Sequence, residues 1–162
     1  MGKSSLAQLI LKKNGIPYVS TDALTVMLGP IGQTTFYDQD KAKQFFPYLE
    51  LFIDRILKTA PDYVIEGDAF SPEHVKILEK QYDITSVFLT MNQVSPESIT
   101  KNIQHDTWTD HISTKELQIL CQRITTASKD IQTQCENLGL PHVDLSRNYS
   151  RQFKSAYTHL MS

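Results

Sequence analysis

Arginine is scarce in this chain: Arg55, Arg123, Arg147 and Arg151 are the only four in 162 residues. Cysteine is scarcer still. Cys121 and Cys135 lie in one helical region, about 21 Å apart along a continuous helix. That separation is too long for a disulfide, and two reduced thiols point to the cytoplasm. The five histidines are scattered without metal-ligand spacing, which excludes a zinc or haem site. A net charge of −2 argues against a protein that holds nucleic acid by bulk electrostatics. No apolar run reaches the length of a membrane span, and the first residues lack a signal peptide's apolar core. Repeats, linkers and low-complexity tracts are absent as well.

What is present fits one domain, residues 1–162, with 40% hydrophobic and 21% charged residues. Residues 4–13 set Leu6, Leu9, Ile10 and Lys13 at helical spacing, and Asn14-Gly15 reads as the stop. Ile16 to Ser20 is a short strand, with a brief helix after Thr21 and Asp22. The stretch 29–37, with two glycines and a proline, is a candidate substrate loop. A helical stretch follows from Asp38 to Thr59, which Pro47 is expected to split or kink. Tyr63-Val64-Ile65-Glu66 is a compact strand. Ser71-Pro72-Glu73 opens a helix running to Gln81.

Ile84 to Met91 carries a buried-strand pattern, and Ser95-Pro96-Glu97 opens a helix to His105. Residues 105–112 form a polar loop with the only tryptophan, Trp108, and are a candidate lid. Ser113 and Glu116 have capping-box spacing before a long helix that ends at Gly139. Pro141 to Leu145 is a last strand, and 148–161 a last helix. Strands alternating with helices predict an α/β fold, a three-layer parallel sheet with helices on both faces. Ligands meet such sheets at the carboxyl ends of the strands. Asp22, Glu66 and Asp68, Met91 to Gln93, and Asp144 to Arg147 occupy those ends.

The opening Gly2-Lys3-Ser4-Ser5 runs straight into a helical pattern. Gly-Lys-Ser in that place is the closing half of a phosphate-binding loop, GxxxxGK[ST]. Such a loop holds phosphate on backbone N–H groups and the positive end of a helix. Its lysine reaches the β- and γ-phosphates, and its first hydroxyl sits on Mg²⁺. The leading glycine and the strand that feeds the loop would lie before Met1. Three arrangements are expected to meet that lack: a polypeptide that extends upstream, a strand supplied in trans as in a dimer, or closure of the flanking strands.

On Gly2-Lys3-Ser4-Ser5, Val19-Ser20-Thr21-Asp22-Ala23 and Val64-Ile65-Glu66-Gly67-Asp68, the chain resembles the P-loop kinases of small molecules. That group includes the nucleoside monophosphate, shikimate, gluconate and zeta-toxin-like kinases. Asp106-Thr107-Trp108-Thr109 makes it look most like an uncharacterised bacterial, adenylate-kinase-like branch. The resemblance implies a P-loop NTPase sheet of order 2-3-1-4-5 whose central first strand this chain lacks. It also implies ATP and Mg²⁺ as cofactors and a small hydroxylated acceptor as substrate.

Carried over by position, Gly2, Lys3, Ser4, Ser5 and Arg147 would bind the nucleotide, with Ser4 on the metal and Arg147 stacked on the base. Lys3, Asp22 and Arg123 would act in catalysis, and Asp22, Glu66 and Asp68 would meet the acceptor. Plainer readings stand beside these. Asp22 fits a helix N-cap, Glu66 and Asp68 fit solvated turn carboxylates around a glycine of positive φ, and Arg147 fits a surface cation. Loop 105–111 has no arginine of the kind that stabilises a transferring phosphoryl group. Two functions follow: ATP-dependent phosphotransfer, or a nucleotide-binding or interaction protein that kept the fold and lost turnover.

Overall fold

The computed structural model describes residues 2–27, 39–60, 62–102 and 112–162. Helix α1 spans Lys3–Asn14 and stops where Gly15 adopts a left-handed φ of 71°. There the Gly15 N–H donates to the Leu11 carbonyl at 2.9 Å, closing the last turn. Strand β1, Tyr18–Ser20, leads directly into helix α2, Thr21–Met27. Helix α3, Gln39–Leu57, runs unbroken with Pro47 inside it. The expected split at that proline does not occur. Phe45, Leu49 and Ile53 are buried on both sides of it, and that stripe outweighs the lost backbone bond.

Strand β2 is Val64–Glu66, and helix α4 is Pro72–Gln81. Ser71 caps α4 by accepting from the His74 N–H, with Pro72 at the first helical position. Strand β3 is Phe88–Thr90, and helix α5 is Pro96–Asn102. Helix α6, Thr114–Leu138, opens with a complete Ser113–Glu116 capping box and stops at Gly139, φ 65°. Strand β4, His142–Asp144, precedes helix α7, Tyr149–Leu160. Among the described residues no helix is long and apolar enough to cross a membrane.

Among the described residues the strands form two separate parallel pairs. In one, Tyr18 pairs with Val64 and Ser20 with Glu66. In the other, Phe88 pairs with His142 and Thr90 with Asp144. Among the described residues β2 and β3 do not pair with each other. A cleft of about 430 Å³ lies between them. Each strand is three residues long, shorter than the apolar patterns around Ile84–Met91 suggest.

Helices α1 and α7 bridge the two pairs from one side. Leu6, Ile10 and Ala156 pack against Val64 of the first pair and against Leu89 and Val143 of the second. Burying one aliphatic side chain such as Ile10 contributes about 1.5–3 kcal/mol. On the other side Val75 of α4 and Cys135 of α6 gather with Leu140, Phe70 and Phe88. Two satellite clusters stand beside these among the described residues. Phe45, Leu49 and Ala69 tie α3 to the chain after β2, and Ile99, Leu120 and Cys121 tie α5 to α6.

Candidate active site

The first turn of α1 begins at Gly2, whose φ of 89° is left-handed and which carries no side-chain cap. A Cβ at that position would come within 2.9 Å of Leu145 Cδ1 and 3.5 Å of the Tyr149 hydroxyl. Glycine therefore lets the helix start press against the chain leaving β4. The first N–H groups of α1 are left without a side-chain acceptor, so the turn presents the positive end of the helix dipole.

Lys3 and Ser4 sit on that turn and reach the carboxylates at the end of β2 and just after it. Lys3 Nζ stands 2.7 Å from Asp68 Oδ1. The Ser4 hydroxyl donates to Glu66 Oε1 at 3.0 Å. Both bonds join residues more than sixty positions apart, and the short strand β2 is what brings them together. Glu66 is buried at 9% exposure, whereas the Asp68 side chain remains 46% exposed.

Asp22 completes the cluster from the end of β1. It lies in the first turn of α2, and its N–H donates to Ser20 Oγ at 3.3 Å. Ser20 thus serves the helix start, and Asp22 is not the cap. Burial and the neighbouring Asp68 carboxylate push the Asp22 carboxyl above its ordinary value, with Lys3 opposing. Burial also works against the Asp68 charge, but the Lys3 ammonium outweighs it and holds that carboxyl below the usual range. For Lys3 the desolvation of a cation is outweighed by Asp68, Glu66 and Asp22, and its pKa is raised.

Gly67, between the two acids, has φ 147°, and a Cβ there would lie 1.7 Å from Thr21 Oγ1. The glycine expected on conformational grounds is therefore also required by space. Thr21 is fully buried, and its Oγ1 has no hydrogen-bond partner among the described residues. Sequence reasoning used Thr21 only as a helix start. Its β-branched side chain in fact forms the wall that brings the turn after β2 beside the start of α2.

The remaining candidates are placed apart. Ser5 is exposed on α1 and has no bond to the cluster. Arg123 stands exposed on α6, with no ion pair among the described residues. Arg147 is exposed beside a polar cavity of about 480 Å³, lined also by Asn92, Lys129, Gln132 and Asp144. Burial works against the Asp144 charge, but hydrogen bonds from Ser146 and the Asn92 N–H, with the Arg147 charge, hold that carboxyl low. Asn92 belongs to the Met91–Gln93 strand end read from the sequence and bonds there to Gln132, which sequence reasoning did not single out. Residues 29–37 and 105–111, with Asp106 and Trp108, lie outside the described residues.

Hard oxygen donors define what the cluster could hold. A hydroxyl and a carboxylate in contact suit Mg²⁺, which is commonly bound by one or two carboxylates together with substrate phosphates and water. No group of three or more His, Cys, Asp or Glu with metal-binding geometry occurs among the described residues. Ser4 and Glu66 would therefore share such an ion with a ligand rather than cage it. No protein-family model matches the chain, and no curated protein is significantly similar to it.

Proposed function

We propose that this chain is a P-loop-type phosphotransferase domain that moves a phosphoryl group from ATP to a small hydroxylated acceptor. One observation carries the reading. A lysine and a serine on an uncapped helix start bond to acids at and just after the end of a parallel strand, at 2.7 Å and 3.0 Å. A helix start with a lysine suits phosphate, and the serine–glutamate pair suits the accompanying metal. In this reading the two strand pairs are the halves of one P-loop sheet, with α1 and α7 on one face and α4 and α6 on the other.

Each residue then has a defined task. The N–H groups of the α1 start and the Lys3 ammonium bind the phosphate oxygens and stabilise the charge that develops on them during transfer. Ser4 and Glu66 would hold Mg²⁺, which supplies charge neutralisation across the phosphates. Asp22 orients the acceptor hydroxyl and takes its proton as the new P–O bond forms and the bond to ADP breaks. Its raised pKa suits a base that must also release that proton. Buried, unpaired thiols at Cys121 and Cys135 fit a cytoplasmic protein.

A second reading is a nucleotide-binding protein without turnover. The exposed position of Arg123 on α6 favours it, because no arginine among the described residues bonds to the Lys3 cluster. ADP release with a panel of hydroxylated acceptors separates the two. Phosphotransfer requires release that depends on one acceptor and falls at least about a hundredfold in Asp22→Asn, in line with loss of a general base. ATP binding without consumption of any acceptor supports the second reading.

A further inference from the structure

We propose that the His74 imidazole, stacked on Phe46, is an acid-sensitive latch that fastens helix α3 to the start of α4. With the ring neutral the helix is held, and a proton on the ring releases it. Nothing in this latch depends on phosphotransfer.

Ring geometry is the first support. The two rings stand 4.2 Å apart between centroids and 13° from parallel, a stacked pair across two helices. His74 lies in the first turn of α4, where its N–H donates to the capping Ser71 Oγ. It is 7% exposed, and its Nδ1 has no hydrogen-bond partner among the described residues. A neutral ring can leave that nitrogen as a bare lone pair. A protonated ring must place an N–H there, buried and without an acceptor. The cation would be attracted to the face of Phe46, yet burial of an unmet charged donor outweighs that attraction.

The charges around the ring are the second. Lys43, Phe46 and Glu50 recur at helical spacing on one face of α3, and Glu73 precedes His74 on α4. The turn between β2 and α4 adds the apolar Ala69 and Phe70, which pack on Phe45 and Leu49. Burial is the largest influence on the ring and disfavours its cation. Glu73 and Glu50 favour the cation and Lys43 opposes it, and the ring titrates below its ordinary 6.5.

Place in the fold gives the latch its consequence. Phe45 and Leu49 of α3 pack on Ala69, next in sequence to Asp68, and Leu24 of α2 joins them. Helix α3 thus braces both the turn that carries Asp68 and the helix that carries Asp22. The closed form takes the proton less readily than the open one. Closure is therefore complete above 6.5 and is lost as pH falls from there through the ring's folded value. One proton sets the steepness, so the open fraction rises by at most about tenfold per pH unit.

The test is amide hydrogen exchange on the intact chain, corrected for the intrinsic pH dependence of exchange, beside an NMR titration of the His74 ring. The ring should titrate below 6.5. Protection at Phe46 and Leu49 should fall by up to about tenfold per pH unit through that range, while Ile10 in α1 and Ala156 in α7 keep theirs. In His74→Phe, which keeps a ring for the stack but cannot ionise, the pH step should vanish. It should vanish also in His74→Gln, which is smaller and serves where the phenyl ring does not fit. A His74 ring that titrates at or above 6.5 overturns the proposal. So does a step that survives in either variant, or an equal loss of protection in α1 and α7, which marks acid unfolding of the whole chain.

Discussion

Lys3 Nζ and Asp68 Oδ1 stand 2.7 Å apart, so the cation best placed for a phosphate already holds an anion. The pair links the first turn of α1 to the turn after β2, across the floor of the candidate site. In the proposed reading it serves both fold and site, and the two roles would respond differently to substitution.

Lys3→Met removes the phosphate's cation and leaves Asp68 without a partner. Nucleotide affinity should fall at least about tenfold, in line with the loss of a charge-assisted hydrogen bond. Stability should fall by no more than about 1 kcal/mol, because the pair is partly exposed and screened. Nucleotide titration beside thermal unfolding checks both, and a collapse of the fold would contradict the second value.

The same pair sets two pH limits. The Asp68 carboxyl is held below its ordinary 3.8, so the stability it contributes is present above that value and lost as pH falls through the depressed folded value. The Lys3 ammonium is raised above 10.5, so its contribution is present below that value and lost as pH rises through the raised one. In Asp68→Asn the Tm profile should flatten at both ends. A profile unchanged at acid pH would refute the assignment to Asp68.

Asp22 has the opposite sign. Its carboxyl is raised, so the folded state favours its protonated form, and the ionised form at neutral pH works against folding. Asp22→Asn should therefore raise Tm at pH 7, with the gain shrinking as pH falls through the Asp22 value. The same variant should lose turnover while it keeps nucleotide affinity. A lowered Tm would mean that Asp22 supports the fold by a contact other than its charge.

Gly67→Ala should be severe. The new Cβ would meet Thr21 Oγ1 at 1.7 Å and Thr21 Cβ at 2.8 Å, at a φ of 147°. Overpacking and backbone strain together cost roughly 3 kcal/mol. Denaturant unfolding of Gly67→Ala and of Gly67→Ala with Thr21→Ser measures it. The double variant should show little rescue, because Oγ1 itself is the nearest atom and serine keeps it.

Nucleotide binding should require a divalent cation. Asp22, Glu66 and Asp68 surround one lysine, so a bare triphosphate meets a site with more anions than cations. Calorimetric titration of ATP with Mg²⁺ and with excess chelator should differ at least about tenfold, and Ser4→Ala should shrink that difference. Equal affinity in both conditions would remove Ser4 and Glu66 from any metal role.

Local signals were legible without a structure. Ser71 with Pro72, Ser113 with Glu116, and the glycines at positions 15 and 139 mark helix ends as expected. Caps and left-handed stops involve residues at most a few positions apart, so nearby chemistry decides them. Of the split or kink expected at Pro47, the split is absent because the buried stripe that holds α3 together spans both sides of it. Glu66 and Asp68 were recognisable as acids at a strand end, but not which met Ser4 and which met Lys3. That depends on how successive side chains leave a strand of three residues.

The chain's order of residues thus determined the helix ends at Gly15, Ser71, Ser113 and Gly139, the approximate positions of the strands among the described residues, and the collection of acids at the ends of β1 and β2 beside a Gly-Lys-Ser start. Local propensity, capping and alternation of apolar residues suffice for these. Tertiary structure alone decided that Lys3 pairs with Asp68, that Thr21 fills the space Gly67 leaves, and that Arg123 stands away from the cluster. It also decided that the strands stand as two pairs with an open cleft between them. Those outcomes depend on contacts between residues dozens of positions apart, which packing of α1 and α7 against both pairs imposes and no local pattern encodes.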